Sequence, residues 1–504
     1  MAMNRVARSS ARTVPRVAAA LTAAGMLASC SAGSTATQVG RVAGAGVVVG
    51  TSGAPASLDF TTTGGAAIPQ ALMSNVYETL VRIDEHGQPV PHLAERVERD
   101  DDGLRYTFHL RHGVQFSNGD EFTAETAAFS INYVKNEWTN GLKAHMDPVA
   151  SVNVVDKHTL VVTLSAPSNR WLWSMGTLTG AMMTPAGIDT LATDPIGTGP
   201  YTVDRFNVGE SIVFSARDDY WSTPAHHDAA IRYFADSVAS VNALRAGDVD
   251  VVWALQAPEL LDSLPDEYGV QVGSTNGEVI FSMNNNLAPF DDPTVRQAAA
   301  YAIDRDALNH VVYEGMGTNT GGAPVPPSDP WFTGHDYYPF DPARADELLA
   351  GRTPEVTISV PSLPYAQKAA ELIYSQLTEV GFRVSLETVE FPAVWLGQVM
   401  NQQNYQASII AHVEPRDIPT LFGNPDYYLG YDSANVRKYL KLADQGDTTT
   451  QITHMEAAVD QIMADAGALT LANSPNIVLT APGVTGIKAD VITDALPLAG
   501  VNRP

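Results

Sequence analysis

Between Val356 and Val389 the chain reads strand, helix, strand, and this order restricts the fold more than any other stretch. Val356 to Val360 is a β-branched run, while Ala370, Ile373, Leu377 and Val380 recur at helical spacing across residues 366–380. Gly381 stops the helix and Val384 to Val389 returns to strand. Strands joined through a helix lie parallel with a right-handed crossover, which puts this region in the α/β class. Upstream, residues 279–284 form a strand of the buried type that feeds a capped helix. Asp292 stands at the N-cap, Pro293 at the first helical position, and Val295, Ala298, Ala299, Ala302 and Ile303 share one face.

A chain of 504 residues exceeds the roughly 250–300 that one core supports, so at least two packed units are expected. Arg5, Arg8, Arg12 and Arg16 precede a short apolar run, Val17 to Leu27, too short to span a bilayer of roughly 20 helical residues. The run ends in Leu27-Ala28-Ser29-Cys30, which has the form of a lipobox, and Cys30 is the only cysteine in the chain. A lone thiol there predicts diacylglyceryl attachment at Cys30 after cleavage and excludes an intrachain disulfide; two acyl chains anchor stably. Cleavage removes four arginines and takes the net charge from −26 to −30. That acidity argues against nucleic acid as a partner and is compatible with cationic or zwitterionic cargo, or with a solvated surface alone.

Ser31 to Gly46 is small and polar and reads as a flexible tether. Val47 to Val49 is a strand breaking into Ser52-Gly53-Ala54-Pro55. A helix is expected over Pro69 to Leu80. Tyr106, Phe108 and Leu110 alternate as one buried strand face, Asn118-Gly119 is a hairpin turn, and Thr123 caps a helix from Ala124. Trp171 and Trp173, near Met175, Met182 and Met183, read as core or as a pocket lining. His92, His109 and His112 lack zinc-ligand spacing and read as structural, and the adjacent His226 and His227 diverge. Ile196-Gly197-Thr198-Gly199-Pro200-Tyr201 is not a phosphate loop, because it lacks Gly-Lys-Ser/Thr and runs on into a strand.

Several of these segments carry a family likeness. Asn75 to Val81, Arg111 to Glu125, Ile196 to Tyr201, Asp218 to Trp221, Gly247 to Trp253, Val279 to Arg305 and Phe340 to Leu349 together resemble the family-5 extracytoplasmic solute-binding proteins of ABC importers, the peptide- and nickel-type periplasmic binding proteins. The resemblance implies an α/β, two-lobed periplasmic-binding-protein-like fold of type II, large cluster, with an extra subsidiary domain in lobe one. It implies a signal peptide at 1–29, a tether at 30–46, lobe one at 47–276 with its subsidiary domain at about 71–186, lobe two at 277–478, and a return to lobe one at 479–504, near Val484-Thr485-Gly486. The expected function is a lipid-anchored, monomeric receptor on the outer face of the cell membrane. It would capture peptides between two lobes and hand them to an ABC permease, without a cofactor, a metal or catalysis.

By the same resemblance Ser52, Gly53 and Ala54 are candidates for backbone contact with ligand. The functional centre falls on Ser408 to Asp417, where family members that bind peptides carry a tryptophan and then an aspartate for the ligand's α-ammonium. Here His412 stands where the tryptophan is usual, and the acid is Glu414 or Asp417; spacing leaves both open. Trp395 and Tyr428, with Tyr427, are candidates for the pocket wall or for core. Nickel chelate, haem, glutathione or oligosaccharide remain alternative cargo, and a regulatory lipoprotein that has lost transport is a second class. A hydrolase lacks support, since neither Gly-x-Ser-x-Gly nor His-Glu-x-x-His occurs.

Overall fold

The computed structural model describes residues 40–63 and 65–503. The expected signal peptide, Cys30 and residues 31–39 lie outside the described residues. Gly40 to Gly46, expected as tether, is held against the body instead. Arg41 forms a two-pronged bond to Asp250 at 3.0 and 2.6 Å, and Val42 is buried. Among the described residues no helix is long and apolar enough to cross a membrane.

The expected crossover is present: Glu355–Pro361 and Arg383–Val389 pair in parallel, joined by the helix Pro364–Glu379. They edge a ten-stranded sheet that runs Arg383–Val389, Glu355–Pro361, Ala407–His412, Gly269–Met283, Leu469–Thr480, Val251–Val252, Val47–Thr51, Ala229–Tyr233, Ser211–Ala216, Tyr201–Asn207. Gly269–Met283 and Leu469–Thr480 are the long central members, and they divide the molecule. The end of Gly269–Met283 in lobe two sits beside Ala407–His412, and Leu469–Thr480 reaches Val251–Val252 in lobe one. Each lobe has its own apolar core, one around Phe281, Ile358 and Leu471, the other around Val49, Phe108 and Phe214. A separate four-stranded sheet, Ala94–Arg99, Arg105–Leu110, Thr159–Leu164 and Val149–Asp156, packs with the helix Ala124–Glu137 as a subsidiary layer of lobe one.

The ladder between the two long strands breaks where they pass between the lobes. Ser274 pairs with Pro475 and Glu278 with Asn473, so Thr275, Asn276 and Gly277 oppose the single residue Ser474. Asn473 Nδ2 closes the bulge by donating to the carbonyls of Thr275 (2.8 Å) and Gly277 (3.0 Å). A bulge of this kind bends its strand and ends regular pairing. The chain thus runs toward lobe one along Leu469–Thr480, whose end pairs with Val251–Val252.

Most caps follow the expected chemistry. Thr123 and Thr126 form a capping box, and Asp292 Oδ1 accepts from Thr294 N at 2.8 Å. The helix expected over Pro69 to Leu80 stops at Leu72. Ser74 takes a left-handed conformation (φ 63°), and Asn75 Nδ2 donates to Ala71 O and Leu496 O at 3.0 and 2.9 Å, which fixes the chain out of helix. Val76, Tyr77 and Leu80 are still buried, so the apolar spacing reported burial without helicity. The same turn explains Gly197 and Gly199: a Cβ on either would strike the carbonyls of Val76 or Asn75. Close backbone approach, not a positive φ, demands glycine there.

Candidate functional site

Along Gly269–Met283 side chains alternate between faces, so Glu278, Ile280 and Ser282 share one. The antiparallel partner places His412 opposite Glu278, Ile410 opposite Ile280, and Ser408 opposite Ser282, on that same face. Two aromatics cover it. Trp395 Nε1 donates to Ser408 Oγ at 3.0 Å, and the Tyr428 hydroxyl lies 2.7 Å from Ser282 Oγ and 2.8 Å from His412 Nε2. Trp395 and Tyr428 are each 1% exposed and pack in the lobe-two core, where the Tyr428 hydroxyl meets the His412 ring. The half-buried Tyr427 meets Tyr428 edge-on.

The chain leaving Ala407–His412 brings the polar groups together. Asp417 precedes the helix Ile418–Gly423 without capping it; its Oδ2 lies 3.8 Å from His412 Nδ1, and its side chain is only 12% exposed. Glu414 is exposed. Between them Arg416 adopts a left-handed backbone (φ 57°), which turns its guanidinium between two indoles, 4.8 Å from Trp173 of lobe one and 4.8 Å from Trp331 of lobe two. It donates to the Gly87 carbonyl in lobe one, and its Nε lies 3.5 Å from Asp329 Oδ1. Further contacts cross the cleft at Asp444, whose Oδ1 accepts from Ser168 Oγ (3.0 Å) and Arg170 N (2.8 Å). The lobes therefore touch, and the cleft is closed. An opening of about 390 Å³ remains at its rim between Glu85, His86 and Gln88 on one side and Pro327, Asp329 and Thr448 on the other.

Electrostatics single out the same spot. Glu278 is 2% exposed, its Oε1 has no hydrogen-bond partner, and its acidity is suppressed well above the carboxylate range by burial, then by Asp417 and Asp329. Burial, reinforced by Glu414 and Asp329, pushes Asp417 up to about 8. Asp329 is pushed up to about 6 by burial despite Arg416 beside it. From lobe one, half-buried Asp494 is raised to about 6 by burial and then by Glu414 across the cleft. His412 is pushed down to about 4 by burial and is neutral near pH 7. An excess of buried carboxyl groups over the buried Arg416 is an environment suited to a cationic group. Among the described residues no group of three or more His, Cys, Asp or Glu is arranged to hold a metal ion.

His412, Asp417 and, at the rim, Glu414 are thus brought to one place. Ser52 and Gly53 are exposed and Ala54 half-buried at the end of Val47–Thr51; among the described residues no hydrogen bond or ion pair joins them to the acids. Glu278, Asp329 and Arg416, which join the same cluster, were not singled out by sequence. Glu278 carried a readable signal, an acid opening a run of strand residues that are all buried, whereas Asp329 and Arg416 need the tertiary fold to be recognised.

Residues 88–443 match the family described as bacterial extracellular solute-binding proteins, family 5 Middle. Among curated relatives, a glutathione-binding protein, GsiB, of Salmonella choleraesuis is 28% identical over 337 residues, covering 64% of this chain and 65% of the relative. Heme-binding protein A of Haemophilus influenzae is 30% identical over 363 residues, covering 64% and 66%. The match thus spans just under two thirds of these relatives' length. Among solved structures, NikA from Brucella suis in complex with Fe(III)-EDTA superposes with a TM-score of 0.80 at 21% identity, covering 91% of this chain and all of that one. DppA from Helicobacter pylori in complex with the peptide STSA gives 0.73 at 24%, covering 90% and 97%. With the family match spanning well over half of its length, the chain belongs to the family 5 bacterial extracellular solute-binding proteins.

Proposed function

We propose that this protein is the receptor of an ABC importer, held to the outer face of the membrane through lipid on Cys30, that captures an ammonium-bearing solute, in the first place a short peptide, and delivers it to a permease. The observation that carries the reading is Asp417, a largely buried carboxylate on the lobe-two wall of a closed cleft, beside a neutral His412. A charge-assisted bond from a ligand ammonium would satisfy it in surroundings where such bonds are strong. Burial favours Asp417 over the exposed Glu414 as the anchor. The peptide bound by the neighbouring DppA structure supports that class of cargo, while the glutathione and haem named for the two relatives keep other solutes in view. Hinge closure about the Thr275–Gly277 bulge would convert capture into a form the permease reads.

The test is native mass spectrometry of the protein purified from its own host, alongside Asp417→Asn and Glu414→Gln. Wild type and Glu414→Gln are expected to carry small molecules with a free ammonium, and Asp417→Asn to be empty. A solute without a cationic group, or equal loading of Asp417→Asn, would overturn the assignment.

A further inference from the structure

Asp417 accounts for one cationic group, yet the closed cleft encloses a further acid, Glu278. Arg416 is engaged with Asp329 and the two indoles, and it is too far committed to serve Glu278 as well. Glu278 is almost wholly enclosed, carries an oxygen without a partner, and feels Asp417 and Asp329 as its charged neighbours, both of its own sign. The groups facing it are accounted for. His412 lies opposite on the neighbouring strand with its Nε2 bound to Tyr428, and Asn473, paired with Glu278 on the other side, spends its amide nitrogen on the Thr275 and Gly277 carbonyls. A buried carboxylate left in this state costs stability, so its retention in a strand otherwise made of Val279, Ile280, Phe281, Ser282 and Met283 calls for a counter-charge.

We propose that Glu278 is a second cation-recognising carboxylate of the cleft, so that this receptor selects solutes bearing two positive groups, one for Asp417 and one for Glu278, such as a peptide that begins with a basic residue. The inference rests on Asp417 being the ammonium anchor. The class follows from the chemistry: two carboxylates on one wall match two ammonium groups on one flexible solute, and a singly charged solute leaves Glu278 enclosed without a partner.

Isothermal titration with lysyl-alanyl-alanine and its norleucyl isostere separates the two statements, because the pair differs by a single side-chain ammonium. Wild type is expected to prefer the lysyl peptide by about ten- to hundredfold, the range of one charged hydrogen bond. Glu278→Gln should erase that preference by weakening the lysyl peptide relative to the norleucyl one, and Asp417→Asn should weaken both. Equal affinities in wild type, or a preference that survives in Glu278→Gln, overturn the role of Glu278 and leave Asp417 standing if Asp417→Asn still weakens both peptides. If neither peptide binds, 1,5-diaminopentane against pentylamine poses the same question, and silence from all four probes overturns both the anchor and the second site. Glu278→Gln is expected to melt higher than wild type without ligand, since it removes an uncompensated acid. Should it aggregate, Glu278→Asp, which keeps the charge and shortens its reach, is expected to cut the lysyl preference several-fold, and an unchanged preference would count against the site.

Discussion

Replacing Arg416 with alanine probes how the cleft stays closed. The side chain belongs to lobe two, but two of its contacts lie across the cleft: the face of Trp173 at 4.8 Å and the carbonyl of Gly87. A cation over an indole contributes about 0.5–2 kcal/mol and a hydrogen bond from a charged donor about 1.5–3 kcal/mol. Their loss removes about 2–5 kcal/mol from the closed form alone, a shift of about 30-fold to 4,000-fold toward the open form at about 1.4 kcal/mol per decade. The remaining contacts, Trp331 and Asp329, lie within lobe two and bear on its stability instead. Breaking that buried pair costs about 3–5 kcal/mol with Asp329 ionised, less once Asp329 takes up a proton. Because Asp329 is already raised to about 6, the melting-temperature loss is expected to be small at pH 5 and larger at pH 8.

Small-angle X-ray scattering of the ligand-free protein reads closure directly. Arg416→Ala is expected to enlarge the radius of gyration, and Arg416→Lys to fall between it and wild type, because lysine keeps the charge without a planar face to stack. Trp173→Ala should open the cleft in the same direction, and combining it with Arg416→Ala should add little. Identical scattering from wild type and Arg416→Ala, at a pH where both are folded, would refute a closing role for Arg416.

Two further predictions concern the acids and the joint. Asp417 is raised to about 8, so between the unfolded-state value near 3.8 and pH 8 the folded form holds more protons than the unfolded one, and stability falls as pH rises. His412, pushed down to about 4, acts oppositely but only below about 6.5, so from pH 6.5 to 8.5 the ligand-free melting temperature should decline, and Asp417→Asn should flatten the slope; an unchanged slope would place the titration elsewhere. Asn473→Ala leaves the Thr275 and Gly277 carbonyls without their amide donor, with a cost of about 1–3 kcal/mol, and hydrogen exchange across residues 274–278 should quicken; unchanged exchange there would mean that Asn473 does not hold the bulge.

What the sequence disclosed and what it hid divide along a physical line. The crossover unit, the caps at Thr123 and Asp292 and the alternating strand at Tyr106 are decided within a few residues, so periodicity and capping chemistry report them. The truncated helix at Leu72 failed because Asn75 answers to Leu496, a partner 421 residues away. Trp395 and Tyr428 could be wall or core by composition, and their bonds to Ser408 and Ser282, far apart in sequence, could not be read from it. The choice between Glu414 and Asp417 lay beyond spacing for the same reason: burial is a property of the assembled wall.

Glu278 shows how such a site can still be read in part. A sequence that specifies one fold keeps its local choices consistent, and breaches concentrate where function demands them. An acid at the head of a fully buried strand is such a breach, and in the closed cleft it sets up an opposition with Arg416. The arginine sandwich ties lobe one to lobe two, whereas enclosing the acids without a cation costs them their ionisation. A ligand shifts a conformational equilibrium only by its differential affinity for the two forms. A solute that neutralises Asp417 and Glu278 gains that differential chiefly where the acids are enclosed, because in an open cleft water screens the same charges. Closure then becomes a report on the ligand's charge, and the strength of Arg416 sets how much charge is required.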